Sequence, residues 1–92
     1  PNATVAQLLD GEIRIFPNPT SAAFYVDLTK VEGFNKNTVL VQNYLGQTVA
    51  YFDNTALDLV EISTENLGTG FFTVSVVFED GSRVVRKVLV VK

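Results

Sequence analysis

At 92 residues, with 47% hydrophobic residues, seven Phe and three Tyr, the chain holds one small domain with enough apolar bulk for a two-layer core. It contains no Cys and no His, which excludes disulfides, thiolate metal sites and every imidazole-based catalytic pair. A net charge of −3 argues against a nucleic-acid partner, and no apolar run approaches the roughly 18 residues that span a bilayer.

In chain order, residues 1–12 show no strand alternation and read as a linker from an upstream cargo, with Val5 to Leu9 able to pack locally. The chain has no Met, so it reads as a piece of a longer protein, with any secretory signal in the missing part. Ile13 to Phe16 reads as a short strand ended by Pro17 and Pro19. Proline has no amide donor, so Pro17-Asn18-Pro19 must leave the sheet ladder and turn, and it suits the protection of an edge strand. Ala23 to Leu28 alternates, with Phe24, Val26 and Leu28 on one face and Tyr25 and Asp27 on the other. Residues 29–37 read as a polar loop in which Gly33, Asn35 and Asn37 supply positive-φ positions.

Thr38 to Tyr44 reads as a strand, Leu45-Gly46-Gln47 as a tight turn with Gly46 left-handed, and Gln47 to Asp53 as the returning strand. Asp53-Asn54-Thr55 turns the chain again. Leu57 to Ile62 starts in alternation and then shifts, which suggests a bulge near Val60. Ser63 to Leu67 resembles one capped helical turn. Gly70 serves backbone geometry at the launch of Phe71 to Phe78, the strongest strand. Glu79-Asp80-Gly81-Ser82 signals a hairpin into the last strand. About seven short strands, with turn signals every eight to twelve residues, predict an antiparallel β-sandwich of immunoglobulin-like type.

The register of the last hairpin follows from charge burial. A two-residue Asp80-Gly81 loop sets Arg83 and Lys87 among Phe72, Val74, Val76 and Phe78. A three-residue loop with Gly81 left-handed sets Val84 opposite Val76 and Val88 opposite Phe72, and leaves only Arg86 among the apolar groups. The second costs less. It makes Val84, Val88 and Val90 the core side, and leaves Val85, Leu89 and Val91 on the other face, either buried there too or as an exposed docking stripe.

Charge is also uneven. Residues 1–82 hold all ten acids and three bases (Arg14, Lys30, Lys36), a net of −7, whereas residues 83–92 hold four bases and no acid, a net of +4. A basic final strand is either a solvated face or an edge that meets an acidic partner. The sequence stops at Lys92 inside that apolar strand, so the final ribbon is expected to be read by another protein.

Four segments in order, Ile-Arg-Ile-Phe-Pro-Asn-Pro-Thr-Ser (13–21), Leu-Gly-Gln (45–47), Glu-Ile-Ser-Thr-Glu-Asn-Leu-Gly-Thr-Gly-Phe-Phe-Thr-Val-Ser-Val (61–76) and Arg-Lys-Val-Leu-Val-Val-Lys (86–92), resemble the type A C-terminal sorting domain of the type IX (Por) secretion system. The resemblance covers residues 13–92 as one sorting domain. It implies an address label, not an enzyme, and no cofactor. The cargo would pass through the periplasm of a Gram-negative bacterium and cross the outer membrane by a translocon. In many cases a sortase-like surface protease would then remove the label and attach the cargo at the cell surface. It also implies translocon recognition at Arg86, Lys87, Val88, Leu89, Val90, Val91 and Lys92, with Pro17, Asn18, Pro19, Thr20, Leu45, Gly46, Gln47 and Gly70 as the motif and turn positions. The chain departs from the family pattern at Gly68 and Thr69-Gly70, and at Ala22, where the family favours Gly and where Ala must take an ordinary conformation or carry strain.

Other chemistries find little here. The acids fall mostly on predicted loops and outward positions of a domain too small to enclose a cleft. Asp53, Asn54 and Asp58 match no calcium loop, and Asn2-Ala3-Thr4 fits the glycosylation acceptor pattern but would be idle in a bacterium. A retained carbohydrate-binding or adhesive sandwich is the alternative; such modules stack sugars on aromatic rings, whereas Trp is absent and Tyr25, Tyr44 and Tyr51 do not cluster in sequence. Self-association through exposed strand edges is open.

Overall fold

In a computed structural model, residues 11–54 and 56–92 are described. The first ten residues of the expected linker and Thr55 lie outside them. Seven strands form: β1 (Arg14–Phe16), β2 (Ala23–Asp27), β3 (Asn37–Gln42), β4 (Thr48–Asn54), β5 (Leu59–Ser63), β6 (Gly70–Phe78) and β7 (Arg83–Val90). They make two antiparallel sheets, one of order β1-β2-β5 and one of order β4-β3-β6-β7.

Alternation decides the faces. Phe24 and Val26 of β2, Ile62 of β5, Val39 and Val41 of β3, Val74 and Val76 of β6, and Val88 and Val90 of β7 are buried in one cluster shared by both sheets. Branched side chains on a pleat with one buried face fix register, because a slip of one residue would turn every one of them outward. Among the described residues, no buried side-chain nitrogen or oxygen lacks a partner.

The last hairpin takes the register expected from charge burial, with Val76 opposite Val84, Phe72 opposite Val88 and Val77 opposite Arg83. The Phe78 amide donates to the Ser82 carbonyl (2.8 Å), the Gly81 amide donates to the Phe78 carbonyl (2.9 Å), and Gly81 has φ +89°. Arg86, opposite Val74, reaches out of the apolar row and donates from Nη2 to the Ile13 carbonyl at 3.2 Å. Val85 and Val91 are exposed and Leu89 is half-buried, so the apolar outer stripe is open rather than covered.

Several local expectations are corrected. Gly33 takes positive φ, but Asn35 and Asn37 do not. Asn37 instead opens β3 as a buried residue; its amide donates to the Ala56 carbonyl (3.1 Å) and accepts from Asn54 Nδ2 (2.8 Å). The loop before it is less polar in effect than in composition: Val31 is buried and Phe34 packs on Phe78 with ring centroids 4.7 Å apart. Ser63 to Leu67 is a β-turn and not a helical turn. The Leu67 amide donates to the Thr64 carbonyl (2.9 Å) while Ser63 Oγ accepts from the Glu65 amide (3.1 Å).

β5 pairs regularly with β2 from Leu59 to Ser63 and has no bulge. The break in its pattern arises because Leu57 precedes the strand and packs from the loop. The irregularity lies in the β3–β4 pairing, at Val41/Gln42. β3 ends at Gln42, so Tyr44 belongs to the turn, and β4 runs on to Asn54. No described non-glycine residue has positive φ, so Ala22 sits in an ordinary conformation.

Candidate functional site

The Pro-Asn-Pro-Thr run and the final strand, at opposite ends of the sequence, meet in space. Asn18 Oδ1 accepts from the Leu89 amide at 3.0 Å, and its Nδ2 donates to the Lys87 carbonyl at 3.1 Å. Two residues on, the Thr20 amide donates to the Leu89 carbonyl (2.9 Å) and the Thr20 carbonyl accepts from the Val91 amide (2.8 Å), a parallel bridge to Val90. An Asn side chain ends in the same amide as a peptide bond, so Asn18 and Thr20 together act as a two-position strand along the free edge of β7. The flanking prolines bring no amide hydrogens that this edge would leave unsatisfied. Thr20 is itself buried, and its Oγ1 donates to the Ala23 carbonyl at 2.6 Å, closing the segment on β2. The Pro-Asn-Pro run does protect an edge, that of a strand about seventy positions further on.

The registers Gly70↔Val90, Gln42↔Thr73 and Ala23↔Ser63 set the other motifs at the same pole of the molecule. Gly46, at φ +81°, forms the β3–β4 turn; there Asn43 Oδ1 accepts from the amides of Leu45 (2.9 Å) and Gln47 (3.0 Å). The loop before β6 holds the chain end. The Lys92 amide donates to Thr69 Oγ1 (3.1 Å) and its Nζ donates to the Glu65 carbonyl (3.3 Å). Thr64, also buried, shares its hydroxyl proton between the Ser21 and Ala22 carbonyls at 3.0 and 2.9 Å. Loop 17–22, loop 64–69 and the terminus are therefore one bonded unit. Turn 43–47 stands apart from the clasp, because β3 and β6 separate β4 from β7, but it shares with residues 66–72 an open groove of about 310 Å³.

Within the final run, the structure separates two roles. Val88 and Val90 point into the core, and Arg86 is half-buried on the same side. Lys87, Leu89, Val91 and Lys92 have their side chains on the accessible side; the Lys87 ammonium lies 5.5 Å from the centroid of the exposed Phe71 ring. Sequence reasoning missed Asn43, Thr64 and Thr69 as builders of this pole. Asn43 carried a signal, since the side-chain oxygen of an Asn commonly accepts from the amide two residues on in an Asx-turn; Thr64 and Thr69 carried none.

The opposite pole carries the perturbed carboxylates. Asp27 is held below its ordinary value by the Thr29 hydroxyl and amide, Asp80 by the Ser82 hydroxyl and amide, and Glu79 by the amides of Asn35 and Lys36. Glu79 Oε1 thereby ties loop 28–36 to the β6–β7 turn (Lys36 amide, 3.1 Å). The groove of about 400 Å³ there is lined by Asp53, Asn54 and Glu79 among others. Asp53 is already engaged by Thr38 Oγ1 (2.8 Å) and Tyr51 Oη (3.1 Å). Among the described residues no group of three or more His, Cys, Asp or Glu is placed to hold a metal ion.

Fold and site together define a small β-structured module that presents a clasped terminal strand. Residues 14–92 match the model of the family described as secretion system C-terminal sorting domain (Por_Secre_tail), and the chain belongs to that family. No curated protein matches it. Its role is that of a secretion-sorting domain.

Proposed function

We propose that this domain is the export address read by the type IX secretion machinery, and that the translocon reads the pole where the chain ends. Lys87, Leu89, Val91 and Lys92 make the contact. Val88 and Val90 anchor the strand that carries them, and Asn18 and Thr20 hold its edge. The observation that supports this reading is the convergence of three of the four family segments on Lys92 and its strand; the fourth, 45–47, lies in a turn whose neighbours Asn43, Tyr44 and Val49 line a groove shared with residues 66–72 of the third. The basic character of residues 83–92 suits an acidic receptor surface. The three-plus-four strand arrangement supports an immunoglobulin-like reading of the sandwich. On this account the cargo passes through the periplasm, crosses the outer membrane, and is freed of the domain by a sortase-like protease at the surface.

The test is a secreted reporter fused ahead of this chain in a bacterium with an active type IX system. The reporter is expected at the cell surface or in the medium, with a mass lacking the domain. Retention in the periplasm would remove the export reading, and a delivered reporter that still carries the domain would remove the cleavage step.

A further inference from the structure

The two lateral sides of the sandwich are unlike. On the β1–β7 side, the clasp of Asn18 and Thr20 satisfies the β7 edge, and Arg86 bonds across to Ile13. On the other side β4 ends its sheet, with no strand beyond it among the described residues. Leu89 turns its amide and carbonyl away from β6, toward the clasp. Antiparallel ladders alternate such groups residue by residue. Carried through the registers Phe71↔Leu89, Leu40↔Ser75 and Leu40↔Tyr51, the alternation leaves the backbone groups of Tyr51 and Asp53 facing outward on β4.

This edge lacks the usual guards. Thr48–Asn54 contains no Lys and no Pro, and its one charge, Asp53, is drawn back onto its own sheet by Thr38 and Tyr51. The irregular pairing lies at the Thr48 end, so Ala50 to Asn54 is regular, paired to β3 on its inner side and, among the described residues, to no strand on its outer side. Tyr51 stands 58% exposed beside it.

We infer that β4 pairs antiparallel with β4 of a second copy of this chain, about a two-fold axis at Phe52. That register sets Tyr51 opposite the partner's Asp53 in both halves, so each phenol, which donates to its own Asp53, can turn to the facing carboxylate instead, and the two acids do not oppose each other. The outward backbone groups of Tyr51 and Asp53 then exchange four hydrogen bonds, Asn54 meets Ala50, and two four-stranded sheets become one of eight. An unrelated strand would satisfy the same backbone groups but would not supply the Tyr51–Asp53 reciprocity. The proposal is separate from the export reading, since it uses the side of the sheet farthest from β7.

Sedimentation equilibrium on the 92-residue chain tests it, with folding of each variant confirmed by circular dichroism. The mass is expected to rise with concentration from 10.1 kDa toward twice that value. Tyr51→Glu, which sets two carboxylates face to face, is expected to weaken association at least about tenfold, whereas Tyr51→Lys, which sets opposite charges together, preserves or tightens it. The chain has no Cys, so a single Phe52→Cys is a clean probe. Across a non-hydrogen-bonded pair the Cα atoms lie about 4.5 Å apart, within disulfide range, and mild oxidation is expected to give covalent dimers. Val85→Cys, exposed on β7, is expected to give none. A chain that stays monomeric to about 1 mM, a dimer indifferent to Tyr51→Glu, or β4 occupied only by an unlike partner would each overturn the inference.

Discussion

Asn18 does with a side chain what a strand does with its backbone, donating to Lys87 and accepting from Leu89 across about seventy positions of sequence. Replacing it with Ala removes both bonds and leaves an amide and a carbonyl of β7 to water. The expected cost is about 1–2 kcal/mol, the range for two modest, partly solvated hydrogen bonds. Asn18→Asp keeps the acceptor for Leu89 and loses the donor to Lys87, so it should fall between wild type and Asn18→Ala. Amide exchange at Leu89, followed with urea unfolding, checks this order; equal protection of Leu89 in wild type and Asn18→Ala would show that the clasp does not hold the edge. None of this was legible in the sequence. Proline chemistry announced that residues 17–19 leave a ladder, but which edge they cover depends on a contact between chain ends that no local pattern encodes.

At the scale of elements, what the sequence disclosed was what period and charge disclose. β2 and β7 alternate over one buried face, β6 does so except at the buried Ser75, and the cost of burying Arg83 and Lys87 sufficed to choose a three-residue turn with Gly81 left-handed. Where side chains can serve two geometries, the reading erred. Ser63-Thr64-Glu65 offers the same hydroxyl to a helix cap and to a β-turn, and the turn wins because Thr64 is held by Ala22, just before β2. Asn37 reads as a loop former, yet its amide is better satisfied buried between Ala56 and Asn54. Loop 28–36 looked polar because its anchors, Val31, Phe34 and the amides that Glu79 accepts, are scattered among solvated residues.

That loop gives a pH prediction. Asp27, Glu79 and Asp80 are held below their ordinary values by hydrogen bonds, and those of Glu79, which reach across to the Asn35 and Lys36 amides, depend on the fold. Groups depressed in the folded state add stability above the unfolded carboxylate range and lose it as pH falls through the folded values. The melting temperature is therefore expected to be level near neutrality and to decline on acidification below about pH 4. Glu79→Gln should lower it near neutrality and flatten part of that decline. Melting curves from about pH 7 to pH 2 decide the matter; parallel curves for the two proteins would contradict the assignment to Glu79.

The whole molecule divides its labour by pole and by side. One pole gathers the clasp, the Glu65–Thr69 loop and Lys92; the other gathers the carboxylate-tied loops. One lateral side is sealed by residues 18–20, and the other, among the described residues, is open along β4. The inner residues of β7 hold the core while the outer ones remain accessible, as the proposed reading of that strand requires. The family relation and the all-β architecture could be read from four short motifs and strand periodicity. The division of the last strand into buried and accessible residues could be read only from its register.

The most direct measurement is surface delivery of one type IX reporter carrying this chain in two variants matched for thermal stability. One is altered at the terminal pole (Leu89→Asp with Val91→Asp) and one at the opposite pole (Glu79→Ala). The terminal-pole variant is expected to accumulate in the periplasm while the Glu79→Ala variant reaches the surface like wild type. Equal delivery of both would contradict the claim that the accessible face of the last strand is what the export machinery reads.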